Sequence, residues 1–325
     1  MCDYKSGFAM LQECCTFAPR NINNLSIGDF KMKRFNDIQG QLKTVTFVAI
    51  AIISGSVTAN AQKVRIGVKD ASFTKPLIES LASEYNKENK GVEIEVVSSA
   101  DADAKVQLAA NGLASVGKIV VLPIANSENE ILTNKKLRKG VNDKVEKEIF
   151  VQPTYEEVLE AEEEGEKALP GTVYSLSGSK AYITQIFAET LHATPSQLKG
   201  KKILGREENV LSVVKQQHDA ISFNVSSLIY DLSNRQPQQG ISVLSVDLDG
   251  NGKVTGEERA ALANIDALNE YVGKLPKPHA PIADVVIVSD NQGVKNFVAW
   301  VQANGQEIVA RQGFIKVNAV LTAQR

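Results

Sequence analysis

The sequence contains very little cysteine. Its three cysteines, Cys2, Cys14 and Cys15, all lie within the first fifteen of 325 residues. The remaining chain therefore offers no disulfide framework, no thiol nucleophile and no cysteine–zinc site. Histidine also occurs only three times, at widely separated positions, and neither an H-E-x-x-H nor a G-x-S-x-G motif is present. We therefore expect no catalytic residues and a protein that is not an enzyme.

Aromatic residues and net charge are low as well. Aromatics make up 6% of the chain, with a single tryptophan, and 36 basic residues nearly balance 38 acidic ones. A nucleic-acid groove or a polybasic membrane surface requires a marked excess of positive charge. The sequence therefore predicts no nucleic-acid partner, and the scarcity of aromatics argues against a binder that stacks on sugars or bases.

The front of the chain has the pattern of a secretory signal peptide over 32–61. Basic residues precede an apolar core at 45–53, and an A-x-A cleavage signal follows at Ala59–Ala61. We expect cleavage after Ala61, so that Gln62 begins a secreted, periplasmic protein. The alternative, a membrane anchor, is disfavoured because the apolar run is too short to span a bilayer. Residues 1–31 precede this signal, and we interpret them as a non-native extension.

Alternating and continuous apolar runs indicate strands at 64–68, 92–97 and 119–125. Helical spacing indicates a helix that begins near Pro76 and another over 101–113. The resulting order β-α-β-α-β predicts an α/β fold with a parallel sheet. The acidic segment 155–167 has the composition of a solvated helix, with a cation site as the alternative.

Two strand–turn–helix units carry hydroxyl groups at the start of a helix. A helix N-terminus presents free backbone N–H groups and the positive end of the helix dipole, so these turns are candidate anion sites. The alternative is that the hydroxyls only cap each helix. In the second unit Gly178 allows close backbone approach and Lys180 adds positive charge. The first turn contains Ser72, Phe73 and Thr74, and the second contains Ser177, Gly178, Ser179 and Lys180.

Residues 247–258 match the whole twelve-residue EF-hand loop pattern D-x-[DN]-x-[DN]-G-x5-E. This spacing directs hard oxygen donors to one point, as calcium requires, and predicts a structural calcium site. The alternative is a tight turn before a helix at 257–268. A strand rather than a helix precedes the loop, which favours a structural clip over a calcium sensor. The predicted ligands are Asp247, Asp249, Asn251, the Lys253 carbonyl, Thr255 through water, and Glu258.

These motifs together resemble the phosphate-binding branch of the substrate-binding proteins of ABC importers, which have the type II periplasmic binding protein fold. Residues 71–73, followed by Pro76, resemble the family's first anion loop, and Ser98–Ser99 lie where the family has a second serine loop. Residues 177–179 resemble its S-G-T/S turn, and the segment GQEIVARQGFIKV resembles the family's C-terminal ending. The portion leading into the calcium loop is similar to phosphate-binding-like proteins of the Bacteroidetes type.

The resemblance implies two lobes, each a central mixed β-sheet flanked by helices, that close on a ligand by hinge motion. The first lobe would contain 62–125 and 281–325, and the second 126–280, with crossings near Asn126 and Ala280. It also implies a small anion, phosphate favoured, and a permease in the inner membrane as partners of a monomer. Two departures stand out: Val173 stands where the family has an arginine, and the family's aspartate, which accepts a proton from phosphate, is missing. The alternative function is a calcium-stabilised envelope protein without a transport role.

Overall fold

The computed structural model describes residues 62–99, 101–109, 114–164, 169–178 and 181–317. The proposed signal peptide, all three cysteines, Ser179 and Lys180 lie outside these ranges. The strands are β1 (Gln62–Gly67), β2 (Val92–Val97), β3 (Ala104–Ala109), β4 (Ser115–Asn126), β5 (Thr172–Leu176), β6 (Lys201–Ile203), β7 (Ala220–Val225), β8 (Ile241–Val243) and β9 (Ile282–Val288). The helices are α1 (Lys75–Glu88), α2 (Lys135–Lys139), α3 (Asp143–Phe150), α4 (Tyr155–Glu164), α5 (Tyr182–Thr190), α6 (Glu207–Gln216), α7 (Ser226–Ile229), α8 (Gly256–Leu262), α9 (Ile265–Lys274), α10 (Gln292–Asn304) and α11 (Gln306–Arg311).

The strands form one curled, mixed sheet in the order β2-β1-β3-β9-β4-β7-β5-β6, and β8 pairs with β4. β4 is buried along almost its whole length and belongs to both halves of the sheet. Its first half pairs with β9 up to Val120, and its second half pairs with β7 from Val121 onward. The predicted α/β class with a mixed sheet is confirmed. The parallel sheet expected from the order of the first units is wrong, because β4, which contains residues 119–125, is antiparallel to β7, β8 and β9. The lobe boundary near Asn126 stays a prediction. The strand β4 itself changes its pairing partner between Val120 and Val121.

The helix predicted over 101–113 is wrong, because β3 occupies Ala104–Ala109. Ala104 and Val106 are buried, whereas Lys105 between them is exposed, which is the two-residue period of a strand. Five register pairs with β9 hold the strand in place. Pairing inside the sheet has therefore outweighed the helical preference of an alanine-rich segment.

The helix predicted over 257–268 is divided into α8 and α9. Asn264 causes the division, because its side-chain oxygen accepts hydrogen bonds from the backbone N–H groups of Asp266 and Ala267. An asparagine in this position starts a new helix by satisfying its first free donors. The predicted absence of an entering helix before the calcium loop is confirmed, since β8 precedes it.

Each half of the sheet packs against its own aromatic cluster. On the β9 side, Tyr85 makes edge contacts with Phe297 and Trp300 at centroid distances of 5.2 and 5.5 Å. On the β7 side, the rings of Phe187 and Phe223 stack at 3.9 Å. These clusters fix the helices against the sheet and so hold the turns at the strand ends in place. Among the residues that the structure describes, none of the helices has both the length and the apolar character needed to cross a bilayer.

Candidate anion-binding site and calcium loop

The first candidate turn is a short 3-10 helix, Ser72–Thr74, that leads directly into α1. Thr74 is fully buried, and its hydroxyl donates a hydrogen bond of 2.7 Å to the carbonyl oxygen of Ala71. Phe73 is also buried, in the core under the sheet. Ser72 is half-buried, so among these three residues it is the one whose side chain is accessible to solvent. Thr74 and Phe73 shape the turn, and Ser72 presents its polar group.

The second serine turn lies beside the first. β2 is parallel to β1, and the backbone N–H of Val68 donates to the carbonyl of Val97 at 3.0 Å. A Cβ atom on Gly67 would lie 2.8 Å from the carbonyl oxygen of Ser99, so glycine is needed for this close approach. Ser98 is exposed, and the Ser99 hydroxyl accepts a hydrogen bond from the N–H of Asp101. The structure therefore brings Ser72, Ser98 and Ser99 to one edge of the sheet.

The third turn follows β5. The N–H of Ser177 donates to the carbonyl of Ile203 in β6 at 2.8 Å, which fixes where the turn begins. Gly178 has φ 131°, a conformation that favours glycine, and a Cβ atom there would meet only open space. The buried Thr184 hydroxyl donates to the carbonyl of Leu176 and holds α5 against the strand end. Ser177 and Gly178 are therefore held at the carboxyl end of β5.

Strand directions place these turns on opposite sides of one boundary. β1 is parallel to β3, and both β3 and β4 are antiparallel to β9, so β1 runs in the same direction as β4. β5 is parallel to β7, which is antiparallel to β4, so β5 runs in the opposite direction. Both carboxyl ends therefore point toward the place where β4 changes partners. Ligands of open α/β sheets bind in such positions, outside the carboxyl ends of the strands.

The sequence analysis missed a further turn at the same edge. β6 is parallel to β5, and Gly205 and Arg206 connect it to the ten-residue helix α6. Gly205 has φ 116°, and the Arg206 side chain is exposed. Burial raises the pKa of the neighbouring Glu207 carboxyl. The signal in the sequence is a glycine and a cation between a short strand and a helix.

Val173, at the position of the arginine in the resembling family, is buried inside β5. A valine there cannot clamp an anion, so a positive charge at this edge has to come from another residue. Two candidates for this charge are Lys180, which directly follows the third turn and lies outside the described residues, and Arg206, in the turn after the neighbouring strand β6. The described edge therefore combines hydroxyl groups, helix N-termini and one guanidinium group.

The predicted calcium loop brings its acidic residues together. One carboxylate oxygen each from Asp247, Asp249 and Glu258 lies within 4.8 Å of the others. Asp247 is nearly buried and accepts hydrogen bonds from the N–H groups of Gly250, Asn251 and Gly252. Its pKa is raised, first by burial, with Asp249 and Glu258 adding to the rise. Three buried or half-buried acids at this distance are a costly arrangement unless a cation or several N–H donors offset it.

Glu258 closes the loop onto the following helix. It is fully buried, and one carboxylate oxygen accepts from the N–H groups of Leu248 and Asp249 at 2.7 and 3.3 Å. The other oxygen accepts from the N–H and the hydroxyl of Thr255 at 2.7 and 2.9 Å, which forms the capping box of α8. The Asn251 side chain accepts from the Lys253 N–H. All six predicted ligand residues therefore belong to one hydrogen-bonded loop.

Comparison with solved structures identifies the fold. The chain matches a protein from Clostridium perfringens, described as a phosphate ABC transporter substrate-binding protein with bound phosphate, with a TM-score of 0.50, 17% identity, and coverage of 79% of this chain and 100% of that one. A phosphate transport receptor from Vibrio cholerae matches with a TM-score of 0.49 and 9% identity, and the match covers 79% of this chain and 100% of the receptor. A possible phosphate-binding protein from Planctomyces limnophilus matches with a TM-score of 0.45 and 12% identity, and the match covers 81% of this chain and 95% of that protein. No protein-family model matches the chain, and no curated protein matches it in sequence. The fold is thus that of the two-lobe periplasmic binding proteins.

Proposed function

We propose that this chain is a periplasmic solute-binding protein that captures a small oxyanion, phosphate favoured, and delivers it to an ABC importer. The observation that carries the proposal is the direction of the strands: the carboxyl ends of β1 and β5, each followed by a hydroxyl-bearing turn, point toward each other along β4. Ser72 and Ser98 follow strands that run toward the boundary from one side, and Ser177 follows a strand that runs toward it from the other. The start of α5 would add backbone N–H donors, and such donors bind oxyanions well. The start of α1 offers fewer, because the Lys75 N–H donates to the Ser72 carbonyl and Pro76 has no N–H.

The same arrangement suggests how the ligand would be held. Hydroxyl and amide donors would surround the anion, while Arg206 and Lys180 would supply the charge that Val173 does not. Closure of the two halves about β4 would remove water from the ligand and strengthen these contacts. The partner would be a permease in the inner membrane.

Serine substitutions test the placement of the site. We expect Ser177→Ala combined with Ser179→Ala to weaken phosphate binding at least tenfold, because two hydroxyl donors are lost from a dehydrated anion. Ser212→Ala is the matched control, since this exposed serine lies on the outside of α6 and its hydroxyl donates to the Glu208 carbonyl. Isothermal titration would measure both. Equal affinity of the double variant and the wild type would contradict the placement.

A second candidate function is a calcium-stabilised envelope protein on the same scaffold, without a transport role. The loop at 247–258 favours it, because the motif match is complete and Asp247, Asp249 and Glu258 converge. Calcium would be held by these carboxylates, the Asn251 side chain and the Lys253 carbonyl, with Thr255 acting through water. The ion would tie together segments that are far apart in sequence, because Asp247 N–H donates to Val141 and His279 N–H donates to Leu248.

Thermal melting in millimolar calcium and in chelator tests the calcium proposal. We expect calcium to raise the melting temperature, because a ligand that binds only the folded state stabilises it. Magnesium at the same concentration is the control, since it requires a smaller octahedral site. An equal melting temperature in calcium and in chelator would overturn this part of the proposal.

A further inference from the structure

Helix α4 presents its apolar side to solvent. Tyr155, Val158 and Leu159 are 78%, 38% and 43% exposed, and their spacing places them on one side of the helix. None of the described side chains in α4 is buried. A ten-residue helix without a packed side is marginal in water. We therefore expect another surface to cover Tyr155, Val158 and Leu159, which we call the glutamate-flanked stripe.

The charge of α4 restricts what can cover it. Six of its ten residues are glutamates and none is basic. Glu157 is engaged locally, since its carboxylate accepts from the N–H and hydroxyl of Thr154 at 2.7 and 3.0 Å. By helical spacing, position 162, a glutamate, continues the line of the stripe one turn later, so the apolar part is one turn long, and Glu156 and Glu163 lie beside it. A complementary surface needs an apolar depression with a positively charged rim.

The chain itself carries a depression of this kind. It has a volume of about 280 Å³ and is lined by Leu132, Leu137, Arg138, Val141, Val243, Leu244, Ser245 and Arg259. We call it the arginine-rimmed groove. The Arg259 guanidinium donates to the carbonyls of Arg138 and Lys139 at 3.2 and 2.8 Å, which fixes one side of the rim. The Arg138 side chain is exposed, and the neighbouring Lys135 and Lys139 extend the positive surface. The groove is suited to one or two apolar side chains projecting from a helix.

We propose that the glutamate-flanked stripe of one molecule docks into the arginine-rimmed groove of a second copy of this chain. The two surfaces match in apolar character and are opposite in charge, whereas two α4 helices facing each other would repel. The contact is head-to-tail, so each molecule uses its stripe on one neighbour and its groove on another. One side of a short helix buries less than about 1,200 Å² in total, which is typical of weak, transient contacts. A weak contact of this kind is compatible with the monomer that the resemblance implies, because the protein would be monomeric at low concentration and would associate only at high concentration.

Sedimentation velocity on the full chain tests the proposal, from about 10 μM to about 1 mM protein at low salt. We expect the weight-average mass to rise with concentration and to return to the monomer value in about 1 M salt, because salt screens the rim charges. Leu159→Lys and Arg138→Glu should each remain monomeric over the whole range. Glu160→Gln, on the opposite side of α4, and Lys144→Glu, outside the groove, make the same changes in net charge and should associate like the wild type.

Mixing the two defective variants provides the decisive test. Leu159→Lys keeps an intact groove, and Arg138→Glu keeps an intact stripe, so an equimolar mixture should form a one-to-one complex that cannot grow further. Val158→Ser provides a second stripe variant with the helix charge unchanged, and unaltered melting curves would show that all the variants fold. A wild type that stays monomeric at about 1 mM would overturn the proposal. Association that persists in either single variant, or a mixture that stays monomeric, would overturn it too.

Discussion

The replacement Glu258→Gln isolates the structural part of the calcium loop. The glutamate carboxylate accepts four hydrogen bonds, two at each oxygen, while fully buried. A glutamine side chain has the same shape but only one accepting oxygen. Whichever way the amide is turned, its NH₂ group faces one pair of donors, either those of Leu248 and Asp249 or those of Thr255. In the second orientation the Thr255 hydroxyl can rotate to accept from the NH₂ group, so only the Thr255 N–H loses its acceptor. This orientation is favoured, and the remaining hydrogen bonds lose the carboxylate charge.

The size of the effect follows from this count. Losing one hydrogen bond to a charged group costs about 1.5–3 kcal/mol, the weakening of the remaining bonds adds to this loss, and relief of the repulsion from Asp247 reduces it. We therefore expect the free energy of unfolding in chelator to fall by about 2–4 kcal/mol. For a domain of this size 1 kcal/mol corresponds to about 2–4 °C, so the melting temperature should fall by about 5–15 °C.

Asp249→Asn provides the contrast, because the Asp249 carboxylate is less buried and accepts hydrogen bonds from the backbone N–H and the side-chain amide of Asn251, at 3.0 Å each. In chelator we expect this variant to lose less than about 1 kcal/mol. With calcium at about 100 times its dissociation constant the wild type should gain about 2.7 kcal/mol, and Asp249→Asn should gain little of it.

Melting curves recorded by circular dichroism in chelator and in calcium separate the two roles. If Glu258→Gln melted within about 2 °C of the wild type in chelator, the hydrogen-bonded closure of the loop would be refuted. If Asp249→Asn kept the full calcium shift, the calcium proposal would be refuted and the closure would stand.

Two further predictions concern charged side chains, one buried and one half-buried. Burial raises the pKa of Glu146 to about 8, with Asp143 adding to the rise, so the stability it contributes falls as the pH rises from its usual value of 4.5 to about 8. In urea unfolding, Glu146→Gln should therefore raise the free energy of unfolding by up to about 5 kcal/mol at pH 9 and by little at pH 4.5. If the variant and the wild type showed the same dependence of this free energy on pH, the prediction would be contradicted. Arg235 binds the Asp266 carboxylate and donates to the carbonyls of Ala310 and Arg311 at 3.0 Å. Arg235→Ala should lower the free energy of unfolding by about 2–4 kcal/mol, and a loss below about 0.5 kcal/mol would contradict this.

Local patterns were enough to predict the units that carry the site. The strand at Thr172–Leu176 and the helices after Ser72 and Ser177 follow from apolar periodicity and from the turn residues between them. The α/β class follows from the order of these units. The twelve-residue spacing also places Asp247, Asp249 and Glu258 together, because every contact within the loop is local in sequence.

Long-range pairing could not be predicted in the same way. Residues 104–109 have helical composition, yet they pair with β9, which is almost 180 residues away in the sequence. The groove lined by Leu132, Val243 and Arg259 likewise forms only when distant segments meet. Arg206 was missed because its significance depends on β6 lying beside β5, which no local pattern shows.

Titration calorimetry of the purified protein with phosphate, in calcium-containing buffer and with sulfate as the control anion, tests the central claim most directly. We predict saturable binding of phosphate at one site, and loss of phosphate affinity in the variant with Ser177→Ala and Ser179→Ala. The absence of heat with either anion, or phosphate binding that the serine substitutions leave unchanged, would contradict the proposed anion site.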